Sequence, residues 1–286
     1  MAKLTDEEKI CGLHACRALY AQRPQDVRKI YLESSRVKDL KSILHRCAKR
    51  SIAYKIVSRA ELEKISKSTH HEGVVFVARE PDLLTLESMT QKWQSKYAGT
   101  QGAGCMLLLE NIRDPHNVGA IIRTAAHFGV DAVLTYGETS KRNAALLRTA
   151  EGGAEYVDWF AVEDLSSTLN ALREVGFVCA ATSSHAKKSL YGEKLPPRVI
   201  FFMGAEREGL SADLQKEAEL SIVVPGSGAV ESLNVASAAA VLLAEFQRQK
   251  RTHAKKPVVS GIKSKKGRGR AASKPGPGAG ASARKR

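Results

Sequence analysis

The chain has little with which to cross a membrane, hold a structural metal or cross-link itself. Its 286 residues contain no run of about 18 apolar residues, which excludes a membrane-spanning helix. The opening segment MAKLTDEEKI has no apolar stretch of the signal-peptide kind. The five cysteines, Cys11, Cys16, Cys47, Cys105 and Cys179, form no CxxC pair and have no histidine at zinc-finger spacing, so neither a disulfide framework nor a zinc module is expected. His70-His71-Glu72 has no third ligand at a suitable spacing, and adjacent side chains on an extended chain point apart, so no metal is expected there. No GxGxxG follows any predicted strand, which counts against a dinucleotide-binding Rossmann fold. A soluble, cytoplasmic protein with reduced thiols and no metal is expected.

Positive charge is abundant but uneven. The formal net charge is +15, and the stretch from Arg251 to Arg286 alone holds twelve Lys or Arg with no Asp or Glu. That stretch mixes its cations with Gly, Ala, Ser and Pro and has no aromatic residue. It cannot bury enough apolar surface to offset its ordering entropy, so residues 251–286 are expected to be a disordered basic tail. Clustered Lys and Arg release counterions when they meet phosphates, which suits a nonspecific RNA arm.

The periodicity before the tail divides the chain in two. Apolar residues recur at helical spacing over Ile10–Tyr20 and over Val37–Ala48, and again over Leu62–Ile65. Short β-branched runs lie at 29–32, 52–57 and 74–77, so residues 8–80 read as a small αβαβαβ unit. Residues 81–104 begin at a proline and end in Gly-Thr-Gln-Gly-Ala-Gly, which predicts a linker, with room for a docking helix over 83–97. From Cys105 to about residue 250 strands and helices alternate, which predicts a parallel sheet covered on both faces.

Three segments of that second unit share one plan: an apolar strand, a polar loop, then a helix. They are LLLENIRDPHNVGAIIR (107–123), VIFFMGAEREGLS (199–211) and SIVVPGSGAVESLNVASAAAVLLAEF (221–246). An open parallel sheet gathers its strand ends where it binds ligands, so three such loops are expected to meet in one crevice. In the first, Asp114-Pro115 breaks the chain and Asn117 stands where a helix is expected to begin, as a cap. Val118, Ile121, Ile122 and Ala125 then face inward, and Arg123 lies six residues, nearly two turns, after Asn117.

In order and spacing these segments resemble the signature motifs of the SpoU (TrmH-like) branch of the SPOUT methyltransferases. The likeness covers roughly 105–250, and the preceding unit is similar to the substrate-binding domain that often accompanies it. The resemblance implies an α/β fold: a parallel-sheet SPOUT domain with a C-terminal trefoil knot, preceded by a small α/β substrate-binding domain. It implies an enzyme that uses S-adenosyl-L-methionine (AdoMet) to methylate RNA, most often at ribose 2′-oxygens of tRNA or rRNA, and that works as a homodimer. A noncatalytic RNA-binding or ribosome-assembly factor on the same fold, and a base-methylating SPOUT enzyme, are the alternatives.

By the same resemblance Asn117, Arg123, Glu206, Ser232 and Asn234 form the catalytic neighbourhood, and Gly204, Val224 and Leu233 hold AdoMet. Arginine side chains titrate above about pH 12 and make poor general bases, so positioning of the RNA by the planar Arg123 guanidinium is the role the chemistry favours. Arg113 and His116 flank the first loop. Gly226 stands where the family more often has Met, and Ala236-Ser237-Ala238 where it more often has Ser-Val-Ala. Both departures lie beside the polar residues, which bears on substrate preference more than on cofactor binding.

Overall fold

Two neighbouring strands without a single exposed residue form the middle of the larger of two sheets. They are β5 (Gly104–Glu110) and β10 (Arg198–Met203), and such continuous burial is what a strand covered on both faces requires. A computed structural model describes residues 7–82 and 84–253. Residues 251–253, expected to open the disordered tail, close the last helix instead, and the rest of the expected tail, 254–286, lies outside the described residues.

The N-terminal unit comprises β1 (Glu7–Cys11), α1 (Leu13–Gln22), β2 (Val27–Leu32), α2 (Val37–Lys49), β3 (Ala53–Ile56), α3 (Arg59–Ser66) and β4 (Val74–Arg79). Its sheet has the order β1-β4-β2-β3, with β4 antiparallel to both neighbours and β2 parallel to β3. The helix expected over 10–20 is therefore corrected. Ile10 belongs to β1, paired with Phe76, and the helix starts only after Gly12, whose φ of +97° breaks the chain. The unit opens with a strand, βαβαβαβ. Helices α1 and α2 pack on one face of the sheet through Leu19, Leu40, Leu44 and Cys47, while Leu62 of α3 packs on the other. Ser58 and Glu61 close a reciprocal capping box at the start of α3.

The stretch between the units carries α4 (Leu86–Tyr97), whose Met89, Trp93 and Tyr97 are buried in the core of the larger sheet. That sheet comes from β5, α5 (Pro115–Phe128), β6 (Ala132–Tyr136), α6 (Ala144–Ala150), β7 (Asp158–Ala161), α7 (Leu165–Glu174), β8 (Val178–Thr182) and β9 (Lys188–Ser189). It is completed by β10, α8 (Ala212–Lys216), β11 (Leu220–Val223) and α9 (Val235–His253). The seven strands run parallel in the order β7-β6-β5-β10-β8-β11-β9. The chain builds outward from β5 to β7, then returns to place β10 on the other side of β5, so a topological switch point lies between β5 and β10. The last strand, β11, enters between β8 and β9, both earlier in the chain.

All five cysteines are buried and unbonded. Burial pushes the Cys11 thiol up to about 11, and the Cys179 thiol to about 12, above the range in which thiols react readily. No helix among the described residues is long and apolar enough to cross a membrane.

Candidate active site

The loops after β5, β10 and β11 meet at the carboxyl ends of their strands, and three side chains tie them together. Asn234 Nδ2 donates to Asn117 Oδ1 at 2.9 Å and to Glu206 Oε1 at 2.7 Å. Asn117 Nδ2 donates to the same Glu206 oxygen at 3.2 Å. One carboxylate thus gathers two amides from segments 89 and 28 residues away along the chain.

Local sequence explains why these groups are free to meet. The cap of α5 is Asp114, whose carboxylate accepts from the His116 N–H at 2.9 Å, with Pro115 in the first helical turn. The expectation that Asn117 caps the helix is corrected: it is the third residue of α5, in the first turn, and its amide reaches the neighbouring loops. At the other end Asn234 does cap its helix, since Oδ1 accepts from the N–H groups of Ala236 and Ser237 at 2.9 and 3.3 Å. Its NH₂ is left for Asn117 and Glu206. Gly204 is required by the turn that carries Glu206. A Cβ there would lie 2.2 Å from the carbonyl of Gly209, where the loop folds back through a 2.9 Å bond from Gly209 N–H to Ala205 C=O.

Arg123 stands apart from this trio. Its guanidinium pairs with Glu151 at 3.0 Å, both side chains being about half exposed. Glu151 ends α6 in the left-handed region, φ +45°, and the next two residues are glycines with no room for a side chain. A Cβ on Gly153 would lie 3.0 Å from Cα of Arg123, and one on Gly152 would lie 2.6 Å from Cβ of Ala18 in α1. The turn 151–153 is therefore wedged between the helix that carries Arg123 and the N-terminal unit.

A nearly water-free cluster of charges fixes that wedge. Arg23 pairs with Glu8 and, at 2.6 Å, with Glu155; Arg142 reaches Glu8 and Glu155 at 2.6 and 2.8 Å. Glu8, from β1, and Glu155 are only 7% and 5% exposed, so each needs both arginines to offset its lost hydration.

Of the remaining expected residues, Val224 follows β11 and is half-buried against the core, whereas Ser232 and Leu233 lie on the exposed segment leading to α9. His116 shares a 3.1 Å bond with Thr149 Oγ1, and Arg113 pairs with Glu138. Two groups escaped the sequence reading. Glu110, 2% exposed, accepts from Ser211 N–H at 2.7 Å and so ties the end of β5 to the loop after β10; an acid closing an otherwise apolar strand was the available signal. Glu151, paired with Arg123, gave none. His71 is buried, its Nδ1 accepting from Gly73 N–H at 3.0 Å, and no metal-binding group of three or more His, Cys, Asp or Glu occurs among the described residues.

A parallel α/β protein with its polar residues at the switch point defines a class of ligand-binding enzymes, and comparison with known proteins narrows it. The SpoU rRNA Methylase family model matches residues 104–244, and the model described as RNA 2′-O ribose methyltransferase substrate binding matches residues 9–84. The chain is 35% identical over 244 residues to the uncharacterized tRNA/rRNA methyltransferase YfiF of Escherichia coli O157:H7, covering 85% of this chain and 69% of that protein. It is 30% identical to the 23S rRNA (guanosine-2′-O-)-methyltransferase RlmB of Neisseria meningitidis serogroup B, covering 86% of this chain and 97% of the relative. In fold it is similar to the SpoU methyltransferase AviRb from Streptomyces viridochromogenes, solved in complex with AdoMet, with a TM-score of 0.72 at 19% identity over 86% of this chain and 92% of that one. The chain belongs to the SpoU family of RNA methyltransferases.

Proposed function

We propose that the protein transfers a methyl group from AdoMet to a ribose 2′-oxygen of RNA. The observation that carries this reading is the hydrogen-bonded set Asn117, Glu206 and Asn234, which joins the three motif loops into one crevice at the switch point. The similarity to a 23S rRNA (guanosine-2′-O-)-methyltransferase supports ribose over base, and rRNA or tRNA as substrate.

The residues present fit AdoMet. Val230 and Leu233 are two of the few large apolar side chains left exposed, and both lie in the loop after β11. In the same loop a Cβ on Gly226 or Gly228 would meet nothing within 4 Å, so open backbone and apolar surface lie together as a flat purine requires. Val224 and Leu233 would hold the cofactor there, beside Gly204. When bound, AdoMet supplies an electrophilic methyl, and the protein's task reduces to alignment and exclusion of water.

Asn117, Glu206 and Asn234 keep the loops in register, with Ser232 beside them. Arg123 donates its planar fork to the phosphate next to the target and aims the 2′-oxygen, exchanging Glu151 for that phosphate as RNA arrives. A half-exposed ion pair is worth at most about 1 kcal/mol, so the exchange is cheap. The insertion of β11 between β8 and β9 supports the trefoil knot of the family, and we extend to this chain a homodimer and a cytoplasmic setting. The units are bounded near 8–80, 81–104 and 105–250.

Calorimetry with AdoMet, followed by transfer of labelled methyl into rRNA and tRNA, tests the reading. Binding with transfer is expected. Binding without transfer to either RNA favours a noncatalytic RNA-binding factor.

A further inference from the structure

One face of the N-terminal unit concentrates cations with few acids beside them among the described residues. Helix α2 and the residue after it hold Lys38, Lys41, Arg46, Lys49 and Arg50 against a single acid, Asp39. Asp39 is already engaged by Arg36 at 3.1 Å. Between α1 and α2 runs a groove of about 520 Å³ lined by Arg17, Arg46, Lys49 and Arg50 over a floor of Tyr20 and Ile43. Arg17 bridges the two helices by donating to the Asp39 carbonyl at 2.7 Å. A second hollow of about 480 Å³ lies on α2, lined by Lys38, Asp39, Lys41, Ser42 and His45. Among the described residues most other arginines are paired; Arg23, Arg79, Arg113, Arg142 and Arg173, for example, each meet a carboxylate.

We propose that the α1–α2 groove is a phosphate-tracking surface that holds the RNA backbone away from the methylated nucleotide. This rests on the RNA reading above and assigns it a place. From Lys38 to Lys49 the positive stripe is about 16 Å long at the helical rise, long enough for several consecutive phosphates. Tyr20 is 7% exposed, so its ring is not offered for base stacking, and the groove reads charge and not sequence. The exposed large hydrophobics lie at Tyr54, Ile56, Tyr156, Tyr191, Val230 and Leu233, none on α1 or α2, so the face lacks the apolar anchors of a membrane-surface helix. Helix α1 faces both ways: its Ala15 and Ala18 meet Gly152 beside the Arg123 helix, while Arg17 and Tyr20 line the groove. RNA in the groove thus lies about one helix diameter, ~10 Å, from the wedge that adjoins Arg123.

The test uses the full chain and a fluorescent mixed-sequence 30-nucleotide RNA hairpin, titrated at several salt concentrations. The triple reversal R46E/K49E/R50E is expected to weaken binding about tenfold or more and to lower the slope of log affinity against log salt by about two to three. Its melting temperature and AdoMet affinity are expected to match those of the unmodified chain. A matched reversal of cations elsewhere on the unit, K55E/K64E/K67E, is expected to change RNA affinity and its salt slope far less. Equal losses in the two triples, or an unchanged slope in the groove triple, overturn the proposal. So does a groove-dependent loss of binding to phosphatidylserine vesicles or polyglutamate with RNA binding intact. Because RNA binding is read without methyl transfer, failure of the groove is distinguishable from failure of the enzymatic reading, which loss of AdoMet binding would report.

Discussion

Arg23 and Arg123 make the same kind of contact in opposite surroundings. Arg23, at the joint between the two units, is 10% exposed and pairs with Glu8 and Glu155, which are almost fully buried. Arg123, on the helix that follows the first motif loop, is 57% exposed and pairs with Glu151, itself 46% exposed. Removing one member of a buried ionic cluster strands the others without water, at a cost of several kcal/mol, whereas an exposed pair contributes about 0–1 kcal/mol. The same residue type is therefore structural where water is excluded and available to a ligand where it is not. Glu151 and Glu155 lie in one short turn, yet that turn serves both, through Glu151 at one end and Glu155 at the other.

The sharpest way to break the comparison is Arg123→Ala. Methyl transfer is expected to fall at least about 10²–10³-fold, with the melting temperature and AdoMet affinity nearly unchanged; a stability loss as large as the activity loss would make Arg123 a structural residue like Arg23. Glu155→Ala is expected to do the reverse. It leaves Arg23 and Arg142 short of a partner in a dry site, and denaturant unfolding is expected to show a loss of about 3–5 kcal/mol.

Gly152→Ala probes the wedge between them. The position has φ +87°, and the added methyl would lie 2.6 Å from Ala18 Cβ. A loss of about 1–3 kcal/mol is expected in the same unfolding assay. The smallest effect is reserved for Glu151→Gln, with unfolding changed by less than about 0.5 kcal/mol. Its signature is a change in KM for RNA greater than that in KM for AdoMet, as the role proposed for the guanidinium it releases requires.

Much of this is legible in the amino-acid sequence. The strand–loop–helix plan of the three motif segments yields β5, β10, β11 and a helix after each, because continuous apolar strands and amphipathic helices have distinct periods and Ser211 marks the start of the short second helix. The convergence of Asn117, Glu206 and Asn234 followed from where a parallel sheet gathers its loops. Strand β1 was missed because Glu7–Cys11 carries three charged residues in five, and one of them, Glu8, is buried only thanks to arginines outside the strand. Asp114, not Asn117, is the cap of α5, which the proline after it signals, since Pro115 at the start of a helix points to the residue before it. Strand β9, two residues long, has no periodicity to read. The joint itself was invisible for a plain reason: Arg23 and Glu155 are 132 residues apart, and a charge partner at that distance leaves no mark on local pattern.

The most direct check on the crevice is the chemical identity of its product. Ribosomal and transfer RNA from cells lacking the gene, incubated with the purified protein and AdoMet, is expected to gain a methylated nucleotide whose 3′ linkage survives alkali, because a methylated 2′-oxygen cannot attack its phosphodiester. No methyl gained in either RNA, or a methylated nucleotide whose linkage alkali still cleaves, would contradict ribose methylation at the site formed by Asn117, Glu206 and Asn234.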